Sequence, residues 1–126
     1  MRAALADAGV GPDEVTHVNA HGTSTPLNDV AEARTIRRVV GDHVAVTSTK
    51  GVTGHPLGAA GAIEAAFSVL TVEHGRIPPT ANLDSQDPEI DLDVVAKAPR
   101  ERAVDVVMSN SFGFGGQNAV LVVTAA

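Results

Sequence analysis

The sequence predicts an α/β fold, in which a sheet packs in layers against helices. Short apolar runs rich in β-branched residues, typical of buried strands, alternate along the chain with longer segments dominated by Ala and Leu. The 126 residues include three Phe and neither Trp nor Tyr. A core of Ala, Val, Leu and Ile suits close packing of helices on a sheet, and this length predicts one domain, residues 1–126.

The predicted helices are bounded by residues that start or stop a helix. Thr25 and Pro26 form an N-cap and first turn, and Gly75 supplies a C-terminal stop. Because the first helix opens directly on Met1 without an N-cap, we expect it to be the tail of a longer helix. The predicted helices cover residues 1–9, 26–40 and 57–74.

The predicted strands are short and are joined by polar or glycine-rich loops. The last two strands lie on either side of a glycine-rich turn, which indicates a hairpin-like pair. The loop over residues 76–91 contains three prolines and is expected to be extended. The strands cover residues 15–19, 44–47, 104–110 and 119–124, and the loops between the elements cover residues 20–26, 48–56 and 76–91.

Composition excludes several classes of function. The net charge of −6 argues against nucleic-acid binding, which needs a basic surface. No apolar run approaches the roughly 20 residues of a membrane helix, and the N-terminus has no apolar signal core, so we expect a cytoplasmic protein. The chain has no Cys, which excludes disulfides, thiolate metal sites and a cysteine nucleophile within it. With no His-x-x-x-His pair on a helix either, no metal site is predicted.

The first loop, residues 19–26, places a histidine directly after a buried strand. His21 is followed by Gly22, so its ring can project into a cleft, although a turn with capping hydroxyls explains the residues equally well. Thr23 and Thr25 offer hydroxyls that could bind a polar ligand. Capping of the following helix accounts for Thr25 just as well.

The second loop, residues 48–61, combines a lysine and a histidine with several glycines. Lys50 and His55 lie five positions apart, and no Gly-Lys-Ser/Thr stands at the spacing of a phosphate-binding loop. A helix N-terminus beside His55 would disfavour protonation and leave a neutral imidazole able to donate to an oxyanion. Close packing explains the glycines but not the lysine and histidine together.

The third loop, residues 110–118, carries two of the three phenylalanines on a glycine-rich turn. The glycines superficially match a dinucleotide fingerprint, but the turn joins two strands, so we reject that interpretation. Phe112 and Phe114 are better explained as a movable wall of an apolar pocket. Among the remaining histidines, His17 is predicted to be a core residue with satisfied hydrogen bonds, and His43 and His74 to face solvent near helix ends.

In order and spacing the three loops resemble the elongating β-ketoacyl-acyl-carrier-protein synthases of the thiolase-like superfamily. The motifs are Asn-Ala-His-Gly-Thr-Ser-Thr (19–25), Lys50 followed by Gly-His-x-x-Gly-Ala-Ala-Gly (54–61), and Asn-Ser-Phe-Gly-Phe-Gly-Gly (110–116). The resemblance implies a duplicated αβαβα sandwich, each half with a mixed five-stranded sheet and helices. This chain corresponds to the C-terminal half, so we expect it to be a fragment whose N-terminal half, with the nucleophilic cysteine, is absent.

The resemblance also implies roles for individual residues. It implies that His21, His55 and Lys50 are catalytic and that Glu64 supports them. It also implies that the hydroxyls of Thr23 and Thr25 bind the phosphopantetheine arm. Phe112 and Phe114 would belong to the substrate pocket. Phe114 corresponds to a gating phenylalanine. Two positions depart from the common pattern: residues 51–53 read Gly-Val-Thr where Ser-Met-Thr is usual, and Gln117 replaces Thr or His.

The implied activity is decarboxylative Claisen condensation of malonyl-acyl-carrier protein with an acyl thioester in fatty-acid biosynthesis, an acyltransferase reaction. No cofactor is implied, because acyl-carrier protein carries the substrates on phosphopantetheine. The implied partners are acyl-carrier protein, the N-terminal half and a second copy in a homodimer, with no nucleic acid or membrane. The alternatives are a polyketide ketosynthase, a non-condensing subunit like a chain-length factor, or an inactive remnant. Retention of His21, His55 and Lys50 favours a catalytic parent.

Overall fold

Five strands form one mixed sheet, and two further strands form a separate antiparallel ribbon. The computed structural model describes all residues, 1–126. The strands are β1 (His17–Asn19), β2 (Ala45–Thr47), β3 (Arg76–Ile77), β4 (Asp93–Val94), β5 (Arg100–Glu101), β6 (Val106–Phe112) and β7 (Asn118–Thr124). The sheet has the order β4-β2-β1-β6-β7, and β3 and β5 form the ribbon. The helices are α1 (Arg2–Ala8), α2 (Pro26–Val39), α3 (Lys50–Thr53) and α4 (Ala60–His74). The predicted α/β class with a mixed five-stranded sheet is thereby confirmed.

The centre of the sheet is parallel and one edge is antiparallel. β1 lies between β2 and β6 and runs parallel to both, with Val18 opposite Val46 on one side and Met108 on the other. β6 and β7 pair antiparallel over their full length, from Val106 opposite Thr124 to the turn. The predicted hairpin-like pair is therefore confirmed. The carboxyl ends of β1, β2 and β6 meet at one edge of the sheet.

Alternation along the strands sends side chains to two apolar layers. One buried cluster lies between the sheet and the helices α1 and α2 and includes Leu5, Val18, Ile36, Val46 and Met108. The other lies on the opposite face of the sheet, under α4 and the β3–β5 ribbon. It contains Ala45, Ile77, Val95, Val104 and Val107, with Val72 of α4 packed against it.

The helix α4 is polar on its buried side and apolar on much of its exposed side. Its buried residues are Ala60, Glu64, Ser68 and Thr71, whereas Val69 and Leu70 are about half exposed. A helix that covers a core normally has the opposite pattern. The exposed side of α4 is thus suited to contact with a further protein surface. Neither α4 nor any other helix combines the length and apolar character needed to span a membrane.

Several element boundaries differ from the sequence-based prediction. The predicted loop 48–56 contains the one-turn helix α3, and the predicted helix over 57–74 starts as a 3-10 turn and becomes α-helical only at Ala60. The strands β3, β4 and β5 were not predicted, because two-residue strands show no periodicity and are defined only by their pairing partners. These strands can be recognised only from their pairing with neighbouring strands, which the local sequence does not show.

His17 is buried in the centre of the sheet without hydrogen-bond partners, so the prediction of a satisfied core histidine is wrong. Its side chain is 1% exposed, and neither ring nitrogen has a partner. Burial, and to a smaller extent the positive charge of Arg102, lowers the pKa of His17 to about 3. The imidazole is therefore neutral near pH 7. His43 and His74 are exposed, as predicted.

Candidate active site

The predicted site residues follow three neighbouring strands. His21 lies two residues after β1, Lys50 three residues after β2, and Phe112 is the last residue of β6. Because these strands are parallel, their carboxyl ends and the loops after them lie at the same edge of the sheet. This edge is where α/β folds place their binding and catalytic groups. The topology therefore brings together loops that are about 90 residues apart in sequence.

A buried carboxylate fixes the loop that carries His21. Glu32 on α2 is 4% exposed and accepts the backbone N–H groups of His21 and Gly22 at 2.8 and 2.9 Å. The Nδ2 group of Asn110, on β6, donates to the same carboxylate at 3.0 Å. Hydrogen bonds to an ionised group are stronger than neutral ones. The backbone at His21 is thus held from α2, and α2 is held to β6.

Gly22 permits contact between the first and second loops. Its φ of +40° lies in the left-handed region, and a Cβ atom there would lie 2.6 Å from the side chain of Ser48. The Ser48 hydroxyl donates to the carbonyl of Gly22 at 2.8 Å. The loop with His21 and the loop with Lys50 are thus in direct contact and hydrogen-bonded to each other.

Lys50 is buried and links a carboxylate to a histidine. Its ammonium group forms an ion pair with Glu64, and both side chains are at most 5% exposed. The same Nζ atom lies 3.4 Å from Nδ1 of His21. An ammonium group can only donate, so Nδ1 is the acceptor, and a neutral His21 carries its proton on Nε2. Lys50 therefore selects the tautomer of His21 whose Nε2–H is available as a donor.

The two predicted catalytic histidines are neighbours. The ring centroids of His21 and His55 are 5.4 Å apart, and their planes are nearly perpendicular at 86°. His21 is 8% exposed, whereas His55 is exposed. The ring of Phe112 lies 5.9 Å from that of His21 and forms an apolar boundary beside it. The two imidazoles are thus adjacent, and that of His21 lies beside an aromatic ring.

The surroundings keep His21 neutral. Burial lowers its pKa to about 4, with further lowering by the positive charges of Lys50 and His55, while Asp29 acts in the opposite direction. A buried imidazole loses hydration more in its charged form than in its neutral form. At neutral pH His21 is consequently a neutral hydrogen-bond donor rather than an imidazolium.

Thr23 and Thr25 face a cleft of about 500 Å³ that Lys50 and His55 also line. Their hydroxyl oxygens are 3.0 Å apart and hydrogen-bonded to each other. Thr25 occupies the N-cap position of α2, but its side chain makes no capping hydrogen bond. The predicted N-cap position of Thr25 is therefore confirmed, but its hydroxyl does not cap the helix, and both hydroxyls lie at the cleft.

The two phenylalanines of the third loop are placed differently. Phe112 is partly buried beside His21, whereas Phe114 is 99% exposed on the 3-10 turn between β6 and β7. The turn contains Gly115 and Gly116, both with positive φ. The structure brings Phe112 to His21 and leaves Phe114 in solvent, so a gating role for Phe114 remains a prediction.

Sequence reasoning missed three polar residues that support the site. Glu32 was not distinguished from the other charged residues of its helix. Asn19 donates to the backbone carbonyl of Glu64 at 3.3 Å and accepts the Thr49 hydroxyl at 3.4 Å. Asn19 and Asn110 each stand at the start of a motif, which was an available signal. Glu32, eleven residues after His21, lies outside any motif, so nothing in the sequence indicated its role.

No three His, Cys, Asp or Glu side chains are arranged to hold a metal ion.

Comparison with protein families identifies one match. Residues 1–84 match the family model described as "Beta-ketoacyl synthase, C-terminal domain". The chain is 53% identical to the 3-oxoacyl-[acyl-carrier-protein] synthase 2 of Coxiella burnetii, with 98% of the chain and 31% of that protein covered. It is 52% identical to the synthase of the same name from a Synechocystis species, with 94% and 29% covered. The chain thus spans about a third of the length of the curated relatives that it matches.

Solved structures give the same result for the fold. The ishigamide ketosynthase/chain length factor superimposes with a TM-score of 0.96 at 43% identity, over 99% of this chain and 31% of that one. A β-ketoacyl synthase from Burkholderia phymatum superimposes with a TM-score of 0.96 at 38% identity, over 100% and 31%. The predicted thiolase-like fold is thereby confirmed, and the chain belongs to the β-ketoacyl synthase family, in which it corresponds to the C-terminal domain.

Proposed function

We propose that this chain is the C-terminal domain, residues 1–126, of a 3-oxoacyl-[acyl-carrier-protein] synthase, and that it supplies the groups that decarboxylate the malonyl thioester. The full reaction is the condensation of malonyl-acyl-carrier protein with an acyl thioester in fatty-acid biosynthesis. The names of the two curated relatives described above support this reaction. The chain itself has no Cys, so the acyl group is held by a cysteine outside it.

The placement of His21 beside His55 carries this proposal. The rings are 5.4 Å apart, and Lys50 binds Nδ1 of His21, which directs its Nε2–H away from the lysine. A carbonyl oxygen that approaches both rings can accept one hydrogen bond from each. Such a pair of donors suits a reaction in which negative charge develops on one oxygen.

In the proposed step the bond between the malonyl α-carbon and its carboxylate breaks, and carbon dioxide leaves. The electron pair of that bond forms an enolate, whose oxygen accepts hydrogen bonds from His21 and His55. The enolate carbon then attacks the acyl thioester on the cysteine outside this chain, and the cysteine thiolate leaves. The product is a 3-oxoacyl thioester on acyl-carrier protein. The neutral His21 suits this step because a neutral imidazole is a weak acid and does not readily protonate the enolate carbon.

The cleft supports a proposal for how the substrate is held. Thr23 and Thr25 present two adjacent hydroxyls to it, and we assign them to the phosphopantetheine arm. Phe112 would border the thioester beside His21, and Phe114 would close the pocket after movement of the glycine-rich turn. Glu64 supports Lys50. No cofactor beyond the carrier-bound substrates is needed.

The partners that we propose are acyl-carrier protein, the N-terminal half of the synthase and a second copy of the complete protein. The apolar exposed side of α4 supports the contact with an N-terminal half. One similar solved structure is that of a type II polyketide acyl-carrier protein in complex with its ketosynthase. The cytoplasm remains the proposed location, and neither nucleic acid nor a membrane is a proposed partner.

A polyketide ketosynthase or a chain-length-factor-like subunit is the alternative. The similarity to the ishigamide ketosynthase/chain length factor, at 43% identity, favours it. The higher identity to synthases named for 3-oxoacyl-acyl-carrier protein, and the presence of His21, His55 and Lys50 in one cluster, favour the condensing enzyme.

A chimera tests the proposal. Residues 1–126 would replace the matching region of the Coxiella burnetii synthase, of which they cover 31%. We expect this chimera to form 3-oxoacyl-acyl-carrier protein from malonyl- and acyl-carrier protein, measured by mass spectrometry, with the unmodified Coxiella protein as the positive control. A chimera that folds, accepts an acyl group on cysteine and releases no carbon dioxide from malonyl thioester would overturn it and favour the non-condensing alternative.

A further inference from the structure

A short segment after β3, Pro78–Asn82, crosses over the loop that carries Lys50; we call it the strap. Three side-chain-to-backbone hydrogen bonds join them. The Thr47 hydroxyl donates to the carbonyl of Pro78 at 2.8 Å, and the backbone N–H of Ser48 donates to the Thr80 hydroxyl at 3.1 Å. Nδ2 of Asn82 donates to the carbonyl of Gly51 at 2.9 Å. The bonds are spread along the loop from the end of β2 to the first turn of α3.

The backbone of the strap lies against the backbone of α3 at Gly51. A Cβ atom at Gly51 would lie 2.3 Å from the carbonyl oxygen and 2.9 Å from the nitrogen of Ala81, closer than a real Cβ atom approaches either. Asn82 has a φ of +61°, a conformation that Asn and Gly adopt most readily. Gly51 and Asn82 thus allow the backbone of the strap to lie directly on the turn.

The strap is itself fixed to the sheet. The backbone N–H of Thr80 donates to the carbonyl of Val95 at 2.8 Å, and the N–H of Val95 donates to the carbonyl of Val46 in β2 at 2.9 Å. The turn of α3 therefore lies between its own strand and a segment anchored to that strand. Lys50, the first residue of α3, is adjacent to Gly51, the residue that the strap clamps.

From this geometry we propose that Asn82 is a positioning residue, which acts with Gly51 to hold the turn that directs Lys50 toward Glu64 and His21. The proposal rests on the decarboxylation function proposed above. These hydrogen bonds of the strap involve neither histidine ring and not Glu64. The amide of Asn82 donates to the backbone of Gly51, next to Lys50, so its proposed effect on catalysis passes through the turn that carries Lys50.

Asn82→Gly in the chimera is the central variant, because Gly keeps the positive φ and removes the amide donor. The matched control is Lys97→Gly, which replaces an exposed residue of similar φ, +64°, outside the strap. We expect Asn82→Gly to lower kcat for malonyl decarboxylation about tenfold. A shift of the catalytic groups by a fraction of an ångström is enough to slow the chemical step. KM and the rate of cysteine acylation should stay at the parental values, as should all three quantities in Lys97→Gly.

Gly51→Ala is the second variant, because its Cβ displaces the strap from the other side. We expect a loss of decarboxylation at least as large as that in Asn82→Gly. In a Lys50→Ala background, Asn82→Gly should cause no further loss, because residues that act through one group are not additive. Parental kcat in Asn82→Gly, equal losses of acylation and decarboxylation, or multiplied effects in the double variant would each overturn the proposal.

Amide hydrogen exchange keeps the test independent of activity. Exchange at residues 50–54 should be faster in Asn82→Gly than in the parental chimera and in Lys97→Gly, because the turn loses its clamp. Unchanged exchange there would overturn the proposal even in an inactive chimera. If exchange is faster in Asn82→Gly but the chimera does not condense, the role of Asn82 in holding the turn is supported and the proposed function is contradicted.

Discussion

Nζ of Lys50 lies 3.4 Å from Nδ1 of His21 while it forms a buried ion pair with Glu64. The ammonium group thus joins a carboxylate on α4 to the histidine that follows β1. Burial lowers the pKa of His21, the charge of Lys50 lowers it further, and the position of Lys50 fixes which ring nitrogen carries the proton. One lysine therefore fixes the tautomer of His21 and adds to the effect of burial on its charge.

Removal of this ammonium should raise the pKa of His21. In Lys50→Met the positive charge that opposes protonation is lost, whereas burial, the larger cause of the lowered pKa, remains. We expect the pKa of His21 to rise from about 4 and to stay below its ordinary value of 6.5. NMR titration of the histidine Cε1–H signals, with His21→Ala for assignment, measures this value. An unchanged or lower pKa would contradict the assigned contact.

Glu64→Gln should destabilise the protein strongly. Lys50 would keep its charge in a buried position without a counter-charge, which typically costs about 3–5 kcal/mol. The double variant Lys50→Met/Glu64→Leu should recover much of this loss, because it leaves no unpaired buried charge. Denaturant unfolding of the chimera measures both, with Glu73→Gln on the exposed part of α4 as the control. Equal stability of the two glutamate variants would contradict a buried ion pair.

His17 should make the protein sensitive to acid. Its pKa is about 3 in the folded chain and 6.5 as the ordinary value, so the unfolded chain binds a proton more readily. Stability from this group is complete above pH 6.5 and is lost as the pH falls toward 3. At pH 5 the loss is about 2 kcal/mol. Unfolding free energies of the chimera at pH 7 and pH 5 test this.

Two variants isolate the contribution of His17. His17→Phe should reduce the difference in stability between pH 7 and pH 5, because it removes the buried titrating group. His74→Phe, at the exposed end of α4, should keep the parental difference. If both variants keep the parental difference in stability between pH 7 and pH 5, the role assigned to His17 is wrong.

The isolated chain should self-associate. Val69 and Leu70 are about half exposed on α4, and other large apolar side chains are also exposed: Leu27, Val52, Leu57, Phe114 and Leu121. Apolar surface of this kind marks a contact with another protein surface. Light scattering should detect oligomers or aggregates, and Val69→Lys/Leu70→Lys should reduce them. A monodisperse parental monomer with a cooperative melt would count against an uncovered face on α4.

The sequence was sufficient for the layered fold and for the residues at the sheet edge. Each histidine motif follows a strand whose apolar run is visible, so the place of His21 at a strand terminus could be predicted. The distance between His21 and His55 could not, because it depends on the parallel register of β1 and β2, which is set by partners far apart in sequence. The resemblance to a family, rather than periodicity, brought the two motifs together.

The supporting network was less predictable. Glu32 looks like a solvated helix residue in the sequence, and its burial follows from the packing of α2 against the first loop and β6. The strap was predicted only as an extended loop, since its contacts with Ser48 and Gly51 are hydrogen bonds over about 31 residues of sequence. His17 fits a strand by position, but whether its ring has partners depends on the whole face around it.

The central claim is that His21 and His55 both donate to the oxygen that becomes negative during decarboxylation. The most direct measurement is release of labelled carbon dioxide from malonyl-acyl-carrier protein by the chimera and its His21→Ala and His55→Ala variants, with acylation of the cysteine followed in parallel. Loss of one such donor typically lowers a rate about 100- to 1,000-fold. We expect losses of this size in both variants, with acyl loading still measurable. Decarboxylation at the parental rate in either variant would contradict the role assigned to that histidine.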